Sequence, residues 1–468
     1  MTARDALGTH ETPLRTLVDV AGGRASRELF VSQDLYDQEQ EMVFGRAWLF
    51  LGHESQIPEP NDFCLSRMGE EEVIITRGRD GGIHALLNSC THRGMKVCRY
   101  DSGNARTFTC PYHAWSFSND GRVVGRPGEL INVPGYKSRY HEELEKEAWG
   151  LIQVPSLCVF NGSIWGSWDP DAPPFESYVG GMGMWLRFAL DSRDGHSDGA
   201  EVIPGVQKWR TACNWKLSPL NFSGDVAHVV SHKSVDMVGI GPSGVGRRDD
   251  KEEGGGAFGW PDLGHGGTGW VAAPEEDYVQ PASFRNFPEV ARYFEEARQQ
   301  RRELRRGELH FQGKGSIFPN MSFHEEQPRT VIVAHPVGPT MTEFWRYYLV
   351  DKDAPDEVKD ILRRYNISYS GPAGLTESDD LENWSAATAA SKGFMARRSY
   401  YNFQQGLGHS VPYEAVPGCV WAGHEYSEQN QVIFLKRWRE FMEGRTWPQL
   451  MHHEPVLGDV RFPLAGDR

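Results

Sequence analysis

The spacing of apolar residues changes twice along the chain. From about residue 14 to 47, Leu, Val, Tyr and Phe recur among charges at helical intervals, most clearly in SQDLYDQEQEMVFGRAW, where Ser32 is placed to cap a helix running to Trp48. From there to about 165 the period shortens. Runs such as EEVIITRG, IHALLN, ARTFTC, AWSFSND and LCVFNGSIWGSW, separated by Gly, Asn and Asp, predict a small antiparallel domain. Asn119-Asp120-Gly121 supplies a hairpin turn within it. Beyond 170 helices alternate with strands: DAPDEVKDILRRYNISY is a helix opening at Asp353 and Pro355, and GSIFPNMSF, RTVIVAHPV and TEFWRYYLV are consecutive strands. The expected fold class is α+β. Residues 1–40 form a helical segment packing on the larger domain, 41–165 a small all-β domain, and 166–468 a domain with an antiparallel sheet flanked by helices. The run VGIGPSGVGRRDDKEEGGGAFGWPDLGHGG (238–267) predicts a long mobile loop, either a lid or a solvated insertion.

A chain of 468 residues exceeds what one core sustains, so more than one domain is required. Its 15 Trp, 16 Tyr and 23 Phe are ample for an apolar pocket. The net charge of -15 argues against nucleic acid or an anionic membrane as partner. No stretch reaches the roughly 18 apolar residues of a membrane span. The start, MTARDALGTHETPLRTL, lacks the apolar core of a secretory signal, so a cytoplasmic location is expected. Seven scattered cysteines do not form a disulfide framework; a metal role for some of them fits better.

Cys90-Thr-His92 and Cys110-Pro-Tyr-His113 sharpen that expectation. Each loop offers one thiolate and one imidazole, as in a Rieske [2Fe-2S] centre, where two Cys hold one iron and two His the other. A structural Cys2His2 zinc site accepts the same donors, but zinc fingers pair Cys with Cys and His with His along the chain. Arg93, Lys96 and Arg99 put positive charge beside these loops, either for an acidic electron donor or as ordinary solvated side chains. Cys98 is a bystander. CTHRG with CPYHAWSF resembles the cluster motif of the Rieske non-haem iron aromatic-ring-hydroxylating dioxygenases, specifically their large catalytic alpha subunits. Ala114 stands where that family usually has Gly.

A cluster alone makes an electron carrier; a second motif supplies a destination. In NWKLSPLNFSGDVAHVVSH (214–232), about 100° per residue places Asp225, His228 and His232 on one helical face. Two His and a carboxylate form the facial triad of non-haem iron oxygenases. The segment resembles the same family's iron motif, in which the Asp is not a ligand but hydrogen-bonds an iron-ligand His to a cluster-ligand His of the neighbouring subunit. Carried over, Asp225 links His228 to His113 across a subunit boundary. Three residues separate His228 from His232 where the family commonly has four, and Asp225 as a direct ligand stays open. GPAGLTESDDLENW (371–384) resembles the segment supplying the carboxylate, and Asp380 rather than Asp379 matches it; the acidic run also suits a helix N-terminus. Asn221, one turn before Asp225, is placed to approach the iron or to be an inert helix residue.

The resemblance, which extends through GSIFPNMSF and RWREFM, implies a helix-grip catalytic domain, a mononuclear Fe(II), and O2 added to an aromatic ring as a cis-dihydrodiol. It also implies electrons from NAD(P)H through a separate reductase and ferredoxin, and a beta subunit in an α3β3 assembly. The chain has no glycine-rich dinucleotide fingerprint of its own. Rival readings are a Rieske monooxygenase or demethylase, a pure electron-transfer protein and a zinc-stabilised binding module. Pocket residues are expected from 221–240, 240–267, 310–335 and Leu375-Thr376. The substrate is either a cyclic hydrocarbon or an aromatic carboxylate such as a phthalate; the latter wants a cation, for which Lys233, Arg210, Arg247 and Arg248 are candidates.

Overall fold

The computed structural model describes residues 13–124, 133–196, 199–239, 255–272, 287–305, 310–325, 328–424 and 426–451. The chain divides into two compact units, Phe44–Ala172 and Met1–Val43 with Pro173–Arg468.

The smaller unit is built of antiparallel strands. One sheet runs Ile83–Leu87, Glu71–Arg77, Asp62–Met68, Ser102–Asn104, and a second Ser156–Phe160, Ser163–Ser167, Leu49–His53. A separate hairpin pairs Thr107–Thr109 with Ser116–Ser118. Its apolar core joins Phe63, Ile74, Leu86, Phe108 and Phe117 to Cys90, Cys110 and Trp115, so the two Cys-His loops are rooted in the core.

The larger unit is organised by one antiparallel sheet of ten strands. Gly256–Trp260, His265–Ala272, His310–Ile317, Met321–His324, Thr330–Pro336 and Thr342–Asp351 follow one another across it. The helix Gln429–Met442, almost wholly buried, lies against this sheet, which makes the architecture α+β. Among the described residues no helix is long and apolar enough to cross a membrane.

The glycine-rich run is where expectation and structure part. Residues 256–267 are not a mobile loop but belong to a buried hairpin in the middle of the sheet. The glycines are there for space. A Cβ at Gly259 would lie 2.5 Å from Ile433 Cδ1, and one at Gly266 2.8 Å from Asn430 Cβ. Glycine lets the helix Gln429–Met442 press onto the strands. Residues 240–254, which include Arg247 and Arg248, lie outside the described residues.

At the N-terminus Ser32 caps the helix Gln33–Glu39, its Oγ accepting from Leu35 N (3.3 Å). A π-helical turn, Gln40–Phe44, then ends the helical run four residues short of Trp48. This segment anchors in the larger unit. The buried Glu39 carboxylate accepts from Trp215 Nε1 and Trp438 Nε1 (both 2.7 Å) and pairs with Lys216 Nζ at 2.5 Å.

Candidate functional site

The two Cys-His loops are near copies of each other. In each, the cysteine N–H donates to the carbonyl five residues on: Cys90 to Met95 (2.8 Å) and Cys110 to Trp115 (2.7 Å). In each, the cysteine carbonyl accepts from the fourth residue on, Gly94 (2.7 Å) or Ala114 (2.9 Å). That fourth residue takes a left-handed backbone, φ 72° at Gly94 and 61° at Ala114. Asn88 closes the first loop, its Oδ1 accepting from Val97 N (3.0 Å) and Cys98 N (2.8 Å).

The turns bring four donors together. The His92 and His113 rings lie 4.5 Å apart between centroids, and His92 stacks on Trp115 at 5.0 Å. Both thiols are buried. Burial, and then the neighbouring Cys110 thiol, push Cys90 up from the usual thiol range; burial and the charge of His113 push His92 down. His92 Nδ1 is buried without a hydrogen-bond partner. Protons are thus disfavoured on the imidazole, and a buried nitrogen lone pair is left for an electrophile, so the donors fit a metal cluster.

In the larger unit the helix Leu217–Gly224 ends at Asp225, which is extended (φ -82°, ψ 95°). The chain continues as a 3-10 helix, Ala227–His232, and a short α-helix, Lys233–Met237. The motif is therefore not one α-helical face, as its spacing suggested: Asp225 sits at a break. The buried helix fixes that break from below. Asn430 Nδ2 donates to Ser223 O (2.7 Å) and Gly267 O (3.1 Å), and Gln431 Nε2 to Leu220 O (3.2 Å), satisfying carbonyls a helix end leaves open.

The helix Leu375–Ser391 supplies the carboxylate. It buries Glu377, Asp380, Trp384, Thr388 and Ser391 at three- and four-residue steps, so two acids point inward. Glu377 is met by the buried guanidinium of Arg346. Asp380 meets two imidazoles: its Oδ1 lies 3.4 Å from His228 Nε2 and 3.4 Å from His232 Nε2. One donor atom from each of His228, His232 and Asp380 falls within 4.8 Å of the others. Asp380 is 6 % exposed, yet its Oδ1 accepts no hydrogen bond. A buried carboxylate oxygen in that state, with two imidazole nitrogens beside it, fits a bound cation.

Each imidazole is backed by a further carboxylate. His228 Nδ1 lies 3.4 Å from Asp225 Oδ1, and His232 Nδ1 3.2 Å from Asp379 Oδ2. Asp379 thus has a place of its own beside Asp380, which the sequence, posing the two as alternatives, did not reveal. Burial would raise Asp225, but the His228 hydrogen bond and the charge of Lys314 hold it below the usual range. Asn221 Nδ2 is 3.5 Å from both ring nitrogens of His228. Of the cations weighed for the pocket, Arg210 is spent on Glu343 (2.7 Å) and Lys233 is exposed. Sequence reasoning missed Lys314, whose Nζ donates to Asp225 O at 3.4 Å.

Two imidazoles and a carboxylate on one face suit a non-haem iron that keeps positions open, and paired Cys-His loops suit a cluster that carries single electrons. The class is that of oxygenases coupling a Rieske cluster to a mononuclear iron. Residues 47–136 match the Rieske [2Fe-2S] domain family. The chain is 33% identical over 447 residues to chlorobenzene dioxygenase subunit alpha of Cupriavidus sp. (strain PS12), covering 93% of this chain and 95% of that one. It is 32% identical to biphenyl 2,3-dioxygenase subunit alpha of Rhodococcus jostii (strain RHA1), covering 96% and 95%. Naphthalene 1,2-dioxygenase, solved with indole in its active site, superposes with a TM-score of 0.83 at 30% identity, over 95% of this chain and 98% of that one. The chain belongs to the Rieske aromatic-ring-hydroxylating dioxygenase alpha subunits, enzymes with a [2Fe-2S] cluster and a mononuclear iron.

Proposed function

We propose that Cys90, Cys110, His92 and His113 hold the cluster, that His228, His232 and Asp380 hold the iron, and that the chain makes a cis-dihydrodiol from an aromatic substrate. The observation that carries this is the buried Asp380 oxygen between two imidazoles, in a chain that also has two matched Cys-His loops. When bound, the cluster supplies single electrons and the ferrous iron supplies dioxygen activation. One ring, one O2, two electrons and two protons give one diol, so both oxygen atoms enter the product. The electrons come from NAD(P)H, which yields two electrons and one proton, through a partner reductase and ferredoxin. A beta subunit in an α3β3 assembly and a cytoplasmic location complete the reading.

The protein's own groups have separable parts in this. Asp225 and Asp379 accept from the Nδ1 side of His228 and His232, which fixes the tautomers and turns each Nε2 toward Asp380. On this reading Asp225 also connects His228 to His113 of a neighbouring copy of the chain, so it is a positioning residue. Asn221, 7 % exposed and beside His228, orients that ring or a water near it. The substrate ring belongs on the open side of the triad.

Incubation with 18O2, donor proteins and an aromatic substrate tests the reaction: a diol carrying two labelled atoms is expected, and one labelled atom with labelled water would make the enzyme a monooxygenase. Asp225→Asn should keep both metals, by iron content and the spectrum of a nitrogen-ligated cluster, while nearly abolishing coupled turnover. Full turnover in that variant would remove the proposed link.

A further inference from the structure

The imidazoles of the two Cys-His loops are covered differently. His113 is met by Tyr112, with ring centroids 3.8 Å apart, and Tyr112 is 60 % exposed. His92 is met by Trp115, which is buried and lies parallel to it within 1° at 5.0 Å. Trp149 meets Trp115 in turn, edge to face at 6.3 Å and 83°, and is 41 % exposed. These are the stacked and edge contacts that aromatic rings favour. A tie holds the outer ring in place: Thr91, the residue before His92, donates its Oγ1 to Trp149 O at 2.7 Å across 58 residues of sequence. Trp149 closes the 3-10 turn Lys146–Trp149, so that turn is fastened to the first loop. Three rings in contact therefore run from His92 to the surface.

An electron crosses packed rings more readily than the same width of water, so such a ladder is a path as well as a prop. On the reading above, His113 is the side from which electrons leave toward a neighbouring copy of the chain, and a donor must approach elsewhere. We infer that Trp149 is the point at which the electron of a partner protein enters, passing by Trp115 to His92. The inference rests on the dioxygenase reading and deepens it, by giving the two imidazoles separate roles as entry and exit. The step moves no bond and no proton: the donor loses one electron and the cluster gains it. Arg93 is exposed, and its charge acts on His92, so a cation stands beside the path and suits a donor with an acidic face.

Reduction of the cluster in the intact enzyme, followed by stopped-flow absorbance without oxygen or substrate, tests it with two probes. One is a reduced plant-type [2Fe-2S] ferredoxin, an acidic protein donor whose potential lies well below that of a Rieske centre. The other is dithionite, whose small radical reaches the half-buried imidazoles directly. Trp149→Leu should slow reduction by ferredoxin by about tenfold or more. Its reduction by dithionite, its visible spectrum and its midpoint potential should stay those of wild type. Trp149→Phe should keep most of the ferredoxin rate, and Thr91→Val, which keeps every ring and loses only the tie, should lose part of it. An unchanged ferredoxin rate in Trp149→Leu overturns the inference, as does a wild-type cluster that dithionite reduces and ferredoxin does not. So does an equal slowing with both probes and a shifted midpoint, which would make Trp149 a shelter for His92. Electron entry is read before any oxygenation, so normal reduction followed by failed oxygenation would count against the dioxygenase reading alone.

Discussion

Replacing Asp380 and Asp379 separately by asparagine should change the response of stability to iron to different degrees. Without iron, Asp380 is a buried acid whose Oδ1 accepts no hydrogen bond. An unsatisfied buried group of this kind costs about 1–3 kcal/mol. Asp380→Asn removes the charge, so the iron-free variant should be more stable than wild type by about that amount, a rise of a few degrees in Tm. Ferrous iron at 100 times its Kd should then stabilise wild type by about 2.7 kcal/mol and leave Asp380→Asn nearly unmoved. Asp379 lies on the Nδ1 side of His232, away from the triad face. Losing such an orienting carboxylate costs about 10–100-fold in metal affinity, so Asp379→Asn should keep a smaller iron-dependent gain and recover activity at higher iron. Thermal unfolding with and without ferrous iron under argon, followed by tryptophan fluorescence, reads all of these. Asp380→Asn less stable than wild type without iron, or stabilised by iron as much as wild type, would refute the reasoning.

Three further outcomes follow from particular residues. Ala114→Gly relieves the left-handed backbone at φ 61°, so the second loop should gain about 1 kcal/mol and the cluster's visible absorbance should bleach at a higher temperature. Gly267→Ala would set a Cβ 2.6 Å from the main-chain oxygen of Lys314, which cannot rotate away; a loss of about 1–3 kcal/mol in urea unfolding is expected. Burial raises the Glu377 carboxyl to about 7, with Arg346 opposing and Asp380 adding to the rise. The folded protein then holds a proton that the unfolded chain releases from about 4.5 upward, so iron-free stability should fall as pH rises from 4.5 to 7. Glu377→Gln should flatten that part of the urea-midpoint profile, and an identical slope in the variant would argue against it.

The clustered donor residues were legible in the sequence and their supports were not, for a physical reason. A thiolate and an imidazole two or three residues apart, twice, or two imidazoles and a nearby acid, are rare enough to announce their chemistry. Spacing is blunter about conformation. Residues three and four apart meet on an α-helix, but the break at Asp225 and the following 3-10 helix also bring His228 and His232 together, with ring centroids 4.9 Å apart. The glycines of 256–267 looked like flexibility because a one-dimensional pattern does not contain the helix they accommodate. Lys314 was overlooked in HFQGKGSIF because glycines at the alternate positions erase the apolar rhythm that marks the two faces of a strand.

NWK illustrates the same division most fully. Its residues were quoted only as a mark of the motif that follows, and none of them reaches the iron triad. Lys216 is fully buried against Glu39, which accepts from both Trp215 and Trp438, while Asn214 Oδ1 accepts from Lys216 N (3.1 Å) and Nζ (3.3 Å). Removing either charge would strand the other in the interior, at a cost of about 3–5 kcal/mol. The next residue opens the helix Leu217–Gly224, whose far end Asn430 and Gln431 hold by its carbonyls. The helix is thus clamped at both ends by groups 176 to 211 residues away in sequence, Glu39 to Trp215 and Gln431 to Leu220. Asp225 inherits its position from that clamping, and a carboxylate that must orient one imidazole within a few tenths of an ångström needs such a base more than it needs further contacts of its own.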